Sequence, residues 1–398
     1  MIFKHPLDQV LRAILMKILI LGAGMMGNAI TFDLVNFSKS DVFTIADKNL
    51  SSNSKAKKNL RNDKLEFVKI NLENKNSIKK HFKENDLAIS AVPFKYNYIL
   101  SKIAIETKTH FIDLGGNNDV VQKELSLSKD AKKSDITIIP DCGLAPGLSS
   151  VIVKDIVENI NDIDYVKIRV GGLPLHPKPP LNYQVVFSPF GLINEYVEKS
   201  VVLDHGKIIQ KKSMTEVEKI YFPKPFGNLE AFLTSGGCST LPFVYKNKIK
   251  YLDYKTIRYP GHCDNFNTIL SLGMAKKHSI NTGKQKIIPR EILATLLNMN
   301  LPKNEDDVVL LKVLSRGVKD GKKCKLEYNL IDYYDQENKI TSMMRTTAYP
   351  TSIIAQMILN ESIDKRGVFC PHEIVPCQLF FKELKKRNII IKKKFVYI

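Results

Sequence analysis

The stretch Lys17-Ile-Leu-Ile-Leu-Gly22-Ala-Gly24-Met25-Met26-Gly27, followed by Phe43-Thr-Ile-Ala-Asp47, decides the fold. A short β-rich apolar run leads into a G-x-G-x-x-G turn. An amphipathic stretch from Ala29 to Phe37 follows, and an acid closes the next strand. Together these form a dinucleotide-binding fingerprint. The first two glycines let the backbone turn tightly and approach a pyrophosphate, whose charge rests on the N–H groups at the helix start. Gly27 lets helix and strand pack closely, and Met25 and Met26 contribute backbone N–H groups of the first turn. Asp47 faces the ribose, where a carboxylate accepts from the 2′- and 3′-hydroxyls and repels a 2′-phosphate, so NAD is the expected cofactor.

Downstream of Asp47 the alternation continues. Lys48–Asp63 reads as loop and helix, and Leu65–Ile70 as a strand. Ser77–Glu84 reads as a helix, Asp86–Pro93 as a buried strand, Tyr96–Thr107 as a helix and His110–Gly116 as a strand and turn. Val120–Lys133 reads as one helix and Ile136–Asp141 as the last strand of the series. Strand and helix in turn specify an α/β fold with a doubly wound parallel sheet. Ligands of such sheets lie beyond the carboxyl ends of the strands. The unusual residues there are Ala91-Val92-Pro93, Asp113-Leu-Gly-Gly116 and Asp141-Cys-Gly-Leu-Ala-Pro-Gly147. Val92 and Pro93 are accordingly candidate cofactor contacts.

Past Gly147 the pattern changes to a crossover helix, Ser149–Asn159, and then short β-type runs at Tyr165–Val170, Val201–Leu203, Ile249–Leu252, Val308–Leu314 and Cys324–Asp332. Loops rich in Gly and Pro separate them, notably Gly171-Gly-Leu-Pro-Leu-His-Pro-Lys-Pro-Pro180. This describes a mainly antiparallel α+β domain. At Thr346–Thr351 the chain turns into an apolar helix, Ser352–Leu359, that requires a partner surface. The expected organisation is a Rossmann domain over 16–147, a substrate and oligomerisation domain over 148–345, and a segment 346–398 that returns to the first. Residues 1–15 contain acid, lack a small-residue cleavage site and have too short an apolar core for a secretory signal. They read as a short arm ahead of Met16, or as sequence preceding a start there.

A length of 398 residues exceeds what one core usually holds, which agrees with two domains. With 44% hydrophobic and 25% charged residues the composition is that of a globular protein. The apolar runs fall short of a bilayer span, so no membrane association is expected. The six cysteines are scattered without a C-x-x-C pair, pointing to a reducing cytoplasm and to no metal site. Sixty Lys and Arg against 41 acids give a net charge of +19. The lysines are spread along the chain without a recognition helix or zinc finger, so a solvated surface, and no nucleic-acid partner, is the expectation. A non-catalytic NAD-binding protein that uses its basic surface on nucleic acid is the competing reading from another class.

Four segments of the second half are dense in donors and acceptors: Asn182-Tyr183; Leu229-Glu230-Ala-Phe-Leu-Thr234-Ser235-Gly-Gly237; Lys255-Thr-Ile-Arg258-Tyr259-Pro-Gly-His262; and Thr346–Pro350. They read as polar loops around a small polar substrate. In order with Leu19–Gly27, Asp113–Gly116, Asp141–Gly147, Gly171–Pro174 and Gly367–Pro371, they make the chain, from Met16 to about Arg387, resemble the saccharopine dehydrogenase family. Within that family it is most similar to the branch of NAD-dependent L-lysine 6-dehydrogenases. The resemblance implies a Rossmann domain with an inserted substrate domain, and a homodimer or larger homo-oligomer. It also implies oxidation of an amine-bearing carbon by NAD, followed by imine hydrolysis. With L-lysine the products are 2-aminoadipate 6-semialdehyde and ammonia; the alternative that the resemblance implies is a saccharopine dehydrogenase, lysine- or glutamate-forming, acting on a secondary amine.

Oxidising an amine requires its neutral form, whereas a lysine side chain keeps its proton up to a pKa of about 10.4. The candidate acceptors are Asp141, Asp113, Lys255 and His262. Asp141 and Asp113, at strand ends, either bind the substrate ammonium, act as base, or cap local backbone. Lys255 assists by charge or proton transfer, or is solvated. His262 and Tyr259 share a segment with Arg258. His262 has a pKa suited to shuttling, though a loop histidine equally serves as a structural hydrogen-bonder. Arg258 is the candidate for the substrate carboxylate, because its planar fork matches one bidentately, or it forms a structural salt bridge. Glu230, Thr234 and Ser235 are candidate contacts to the α-amino group. Cys142 reads as a packing residue.

Overall fold

The computed structural model describes residues 16–40, 42–49, 63–303 and 305–398. The expectations for residues 1–15 and most of Lys48–Asp63 therefore lie outside the described residues. The chain divides into two compact units, one running to Leu148 and resuming over Thr347–Leu384, the other Ser149–Thr346 with Lys385–Ile398.

The first unit is built on a parallel sheet. Its strands are β1 (Lys17–Leu21), β2 (Val42–Asp47), β3 (Leu65–Lys69), β4 (Leu87–Ser90), β5 (His110–Asp113) and β6 (Thr137–Ile139). The two-residue strand Gly367–Val368 joins the β6 edge, giving the order Gly367–Val368, β6, β5, β4, β1, β2, β3. Ile18, Leu19, Ile20 and Leu21 are all fully buried, as a strand covered on both faces requires. The strand order reverses direction between β1 and β4, and at such a switch point the strand ends open a crevice. The stretch read as one helix over Val120–Lys133 is two, Asn118–Leu125 and Ser128–Lys133. The break falls where the Ser126 hydroxyl turns back to the Lys123 carbonyl at 2.6 Å, competing with the helical ladder. Among the described residues no helix is long and apolar enough to cross a membrane.

The second unit is a mixed sheet. Its strands are β7 (Asn161–Pro174), β8 (Ser200–Asp204), β9 (Lys207–Lys211), β10 (Glu218–Phe222), β11 (Gly227–Leu233) and β12 (Ile249–Arg258). A small separate hairpin, β13 (Ile280–Asn281) with β14 (Lys286–Ile287), precedes β15 (Asp307–Lys319) and β16 (Lys322–Tyr333). With Gly367–Val368 counted as β17, the last strand is β18 (Lys392–Tyr397). The order is β10-β11-β12-β7-β15-β16-β18, with β8 and β9 attached to β12. All pairs are antiparallel except β12 with β7. The segment read as 346–398 is thus divided, since β18 pairs with β16 of the second sheet.

Four segments read as loops or turns are regular structure. Gly171-Gly-Leu-Pro174 is the end of β7, paired with β15 as far as Pro174. Gly171 is needed there because a Cβ would stand 2.5 Å from the Ile257 carbonyl of the neighbouring strand. Leu229–Leu233 and Lys255–Arg258 are strands that pair with each other, Glu230 opposite Arg258. The Thr346–Pro350 turn lies inside a helix, Ser342–Leu359, which tolerates Pro350 internally. That helix starts early because Asp307 receives the N–H groups of Ser342 (2.6 Å) and Met343 (2.9 Å) on its two carboxylate oxygens.

Alternation along β12 sorts its side chains onto two faces. Tyr254, Thr256 and Arg258 share one face, which is covered by a core of Tyr183, Leu192, Ile193, Tyr196, Phe232, Phe266 and Leu293. Asp253, Lys255 and Ile257 share the other, where Leu173, Phe222, Leu229 and Leu310 pack.

Candidate active site

In the first unit the glycine turn has the shape a dinucleotide requires. Gly22 has φ +100°, and a Cβ there would lie 2.8 Å from the Ala91 carbonyl oxygen; one on Gly27 would lie 1.8 Å from the Gly22 carbonyl oxygen. Gly24 is the N-cap of the Met25–Phe37 helix and offers no side-chain cap, while a Cβ on it would meet nothing within 4 Å. The helix start is therefore open exactly where backbone N–H groups receive phosphate oxygens. Val92 lines the turn from the β4 end, and Pro93 starts a short helical turn after it. Asp47 accepts from the Ala23 N–H and the Asn49 N–H, each at 2.8 Å. Beyond any ribose contact, it locks the turn in place. The residues present fit a nicotinamide dinucleotide: Gly22, Gly24 and Gly27 with the N–H groups of Met25 and Met26 for the pyrophosphate, Asp47 for the ribose.

At the ends of β5 and β6 the carboxylates are buried, and Asp113 takes the backbone-capping role, one of its readings from sequence. Asp113 is completely buried; its Oδ1 accepts from Gly115 at 2.6 Å and lies 3.5 Å from the Asp141 N–H. Asp141 is buried with φ +65°, and Gly115 presses on it so closely that a Cβ would lie 2.0 Å from its Oδ1. Glu124, from the Asn118–Leu125 helix, accepts from the Ser101 hydroxyl at 2.8 Å. Among the described residues no other donor reaches Glu124 Oε2 or Asp113 Oδ2. Burial, then the Asp113 charge, drives the Glu124 carboxyl far above the ordinary carboxylate range, and burial raises Asp113 as well. One proton held by Glu124 and donated to Asp113 satisfies both oxygens. Cys142, beside them, is buried with its thiol pushed up by burial and by Asp113, so it stays protonated.

A consequence can be measured. Unfolded Glu124 ionises near a pKa of about 4.3, so at neutral pH folding takes up a proton. Because the native pKa is raised, this stability is complete below the unfolded pKa and is lost as pH rises towards the native one, at up to about 1.4 kcal/mol per pH unit. Glu124→Gln keeps an acceptor for Ser101 and a donor for Asp113 without the titration. Denaturant melts should show the variant gaining on the parent steadily from pH 5 to pH 8; parallel profiles would refute the shared proton.

In the second unit the polar groups converge on the Arg258 face. Arg258 is buried, donates from Nε to the Tyr196 Oη at 3.0 Å and from Nη1 to the Ile257 carbonyl at 2.9 Å, and stacks 4.9 Å from the Tyr183 ring centre. Among the described residues no carboxylate pairs with it. Tyr196 Oη is 3.0 Å from His262 Nε2, and His262 Nδ1 is 2.9 Å from the Leu181 carbonyl. Burial, then Arg258, pushes His262 down to about 3, so it is neutral. Its Nδ1–H must donate to Leu181, which leaves Nε2 to accept from Tyr196, whose oxygen in turn accepts from Arg258. Glu195, one residue before Tyr196 in the Pro189–Val197 helix, is half-buried, makes no side-chain hydrogen bond to a described residue, and is raised to about 7, chiefly by burial.

This geometry redistributes the roles expected from sequence. Lys255 lies on the opposite sheet face, where its Nζ donates to the Glu216 carbonyl at 2.6 Å and to Glu218 at 2.9 Å beside the buried Arg169. Tyr259 also leaves the Arg258 face, donating to the Pro174 carbonyl at 3.0 Å. His262 opens the His262–Ser271 helix and fixes Tyr196, with no proton to shuttle near neutral pH. Glu230 sits beside Arg258 in register, yet spends both oxygens on the N–H groups of Gly261 (2.9 Å) and Cys263 (2.7 Å), capping that helix. Thr234 bonds Thr256 at 2.8 Å, and Ser235 receives helix Pro189–Val197 through its N–H to the Glu195 carbonyl at 2.9 Å. Both are supports of the face. Arg258 alone of the predicted set stands there with donor capacity for a ligand. Tyr196, Glu195 and Glu124 were not foreseen; the alternation of Tyr254, Thr256 and Arg258 in a β-rich run was the signal that could have sorted the faces.

Comparison with known proteins agrees with the architecture. The model of the saccharopine dehydrogenase NADP binding domain matches residues 18–139, and that of the saccharopine dehydrogenase C-terminal domain matches residues 143–390. The chain is 21% identical to saccharopine dehydrogenase (NADP(+), L-glutamate-forming) of Schizosaccharomyces pombe, over 96% of this chain and 99% of that protein. It is 24% identical to the mitochondrial alpha-aminoadipic semialdehyde synthase of Rattus norvegicus over 49% of this chain, spanning only 22% of that protein's length. The apo saccharopine dehydrogenase (L-Glu forming) of Saccharomyces cerevisiae shares the fold, with a TM-score of 0.78 at 20% identity over 96% of this chain and 100% of that one. The homospermidine synthase of Legionella pneumophila, solved with NAD, shares it with a TM-score of 0.67 at 16% identity over 96% and 91%. With a doubly wound nucleotide unit, a mixed-sheet second unit and family models matched along nearly its whole length, the chain belongs to the saccharopine dehydrogenase family of oxidoreductases.

Proposed function

We propose that this protein is a nicotinamide-dinucleotide-dependent dehydrogenase that cleaves the C–N bond of saccharopine, a secondary amine bridging lysine to a dicarboxylate. The observation that carries the reading is Arg258: a buried guanidinium held by Tyr196, paired with no carboxylate among the described residues, in the saccharopine dehydrogenase family of oxidoreductases. A substrate carboxylate supplies the missing anion, with a charge-assisted fork that fixes the amino acid's orientation. The full-length relatives named for saccharopine favour it over free L-lysine.

A nicotinamide dinucleotide, held by Gly22, Gly24, Gly27 and Asp47, would supply the acceptor for the hydride on the carbon attached to nitrogen. The residues of this chain must do the rest. Arg258 orients the substrate, and Tyr196 and His262 orient Arg258. The amine gives up its proton before hydride loss. Of the four candidate acceptors, Lys255 is ion-paired on another face, His262 has both nitrogens engaged, and Asp113 shares a proton with Glu124. Asp141 lies buried in the first unit next to Asp113, and no acceptor is assigned among the four. Water then adds to the imine carbon, the C–N bond breaks, and the amine departs with a proton while the carbon becomes a carbonyl. For the cofactor we propose NAD, because the Asp47 carboxylate at the end of β2 repels a 2′-phosphate.

The test is reduced-cofactor absorbance with L-saccharopine, with L-lysine alone, and in reverse with 2-oxoglutarate plus lysine or glutamate plus the semialdehyde. Each is run with NAD and NADP forms. Turnover of saccharopine with NAD is expected. Turnover of L-lysine alone moves the substrate to the primary amine, and a preference for NADP overturns the role of Asp47.

A further inference from the structure

We propose that Glu195 and Arg258 form a two-point site for a zwitterionic α-amino acid group, Arg258 binding its carboxylate and Glu195 its ammonium. This deepens the reading above, because it rests on Arg258 as the carboxylate site.

Glu195 is placed for this role by its helix. The Pro189–Val197 helix lies on the covered face of the second sheet, its Tyr196 reaches Arg258 at 3.0 Å, and the Glu195 carbonyl is tied to Ser235 at the end of β11. The groups that act electrostatically on the Glu195 carboxyl, or it on them, come from several elements. They are Arg258 and Tyr254 of β12, Tyr183 of the segment before the helix, Tyr196 of its own helix and Glu198 just past the helix end. Of these, only Arg258 is a cation. Yet Glu195 and Arg258 do not pair, and the Glu195 carboxyl receives no hydrogen bond from any described residue. A buried guanidinium and a half-buried carboxyl that sense one another without touching leave both partners incompletely compensated, an arrangement that costs stability unless a ligand completes it.

A zwitterion has the right chemistry: a carboxylate for the guanidinium and an ammonium, with three donors, for the carboxyl. Glu230, expected from sequence to take the α-amino group, is spent on the helix cap, whereas the Glu195 carboxyl receives no hydrogen bond among the described residues. The rise of Glu195 to about 7 through burial is consistent with a carboxyl awaiting a cation.

The experiment compares the parent with Glu195→Gln and Glu195→Asp, using L-saccharopine and its analogue lacking the α-amino group of the lysine half. The parent should discriminate strongly between the two through KM. Glu195→Gln should raise KM for saccharopine at least 10-fold more than for the analogue, so that discrimination collapses, and Glu195→Asp should recover part of it. An equal rise for both compounds, or discrimination that survives in Glu195→Gln, overturns the proposal. If Glu195→Gln does not fold, judged by its circular dichroism, the Asp variant decides: discrimination equal to the parent's, at a side chain one methylene shorter, refutes the contact. Absence of turnover by the parent with any amine refutes the underlying dehydrogenase reading instead.

Discussion

Arg258→Met should lower kcat/KM by 100-fold or more while leaving the melting temperature nearly unchanged. The two halves of that expectation have different causes. In the substrate complex the guanidinium is half of a buried, charge-assisted pair, and removing one member of such a pair costs about 2–5 kcal/mol, or roughly 30- to 4000-fold. In the free protein Arg258 has no carboxylate among the described residues to lose, so methionine of similar length removes a desolvated charge together with the hydrogen bonds to Tyr196 and the Ile257 carbonyl and the stacking on Tyr183, terms that largely offset. A structural salt bridge would behave in the opposite way, with a large loss of stability. Arg258→Lys keeps the charge but loses the fork and the Nε–H to Tyr196, so it should recover less than a tenth of the activity. Steady-state kinetics beside thermal melts of the three proteins decide the matter.

Gly27→Ala should abolish dinucleotide binding and destabilise the first unit. The new methyl carbon would stand 1.8 Å from a backbone oxygen, that of Gly22, which has no flexible end to swing aside. The helix start must move away from β1, at a cost of about 1–3 kcal/mol or more for overpacking, and the N–H groups at the turn move with it. Gly24→Ala provides the control. Its φ of −74° suits alanine, and nothing lies within 4 Å of the added atom, so the fold should be untouched. The methyl would occupy space into which a pyrophosphate comes, and dinucleotide affinity alone should fall. Fluorescence titration with NADH and thermal melts separate the cases; a Gly27→Ala protein with the parent's affinity would refute the assignment of the turn.

The first unit was legible because its signals are local. Glycine spacing, a continuous apolar strand and an acid one unit later specify a turn whose geometry each residue helps to set by itself. The second unit's site depends on which face of a sheet each residue takes, and that is fixed by pairing with strands far away in sequence. Read as a loop, Lys255-Thr-Ile-Arg258 offers four neighbouring polar groups; as part of β12 it puts Lys255 and Arg258 on opposite faces. Gly171-Gly-Leu-Pro174 looked like a turn because glycine and proline usually make one, whereas the crowding by Ile257 selects the glycine. Glu195 and Glu124 left no mark in the sequence. An acid in an amphipathic helix ordinarily faces water, and only tertiary packing buries these two.

The discontinuity of the first unit sets an order of events during synthesis. β6 is completed by Gly367–Val368, and the hydrogen bonds that fasten that strand and its approach span 228 residues, from Thr137 to Lys365, and 240, from Ser128 to Val368. At ordinary elongation rates the ribosome needs about 10–50 s to cover that distance. Throughout that time the short apolar edge of β6 has been made and its cover has not. Until Gly367–Val368 arrives, that edge presents unpaired backbone groups on which another strand can pair.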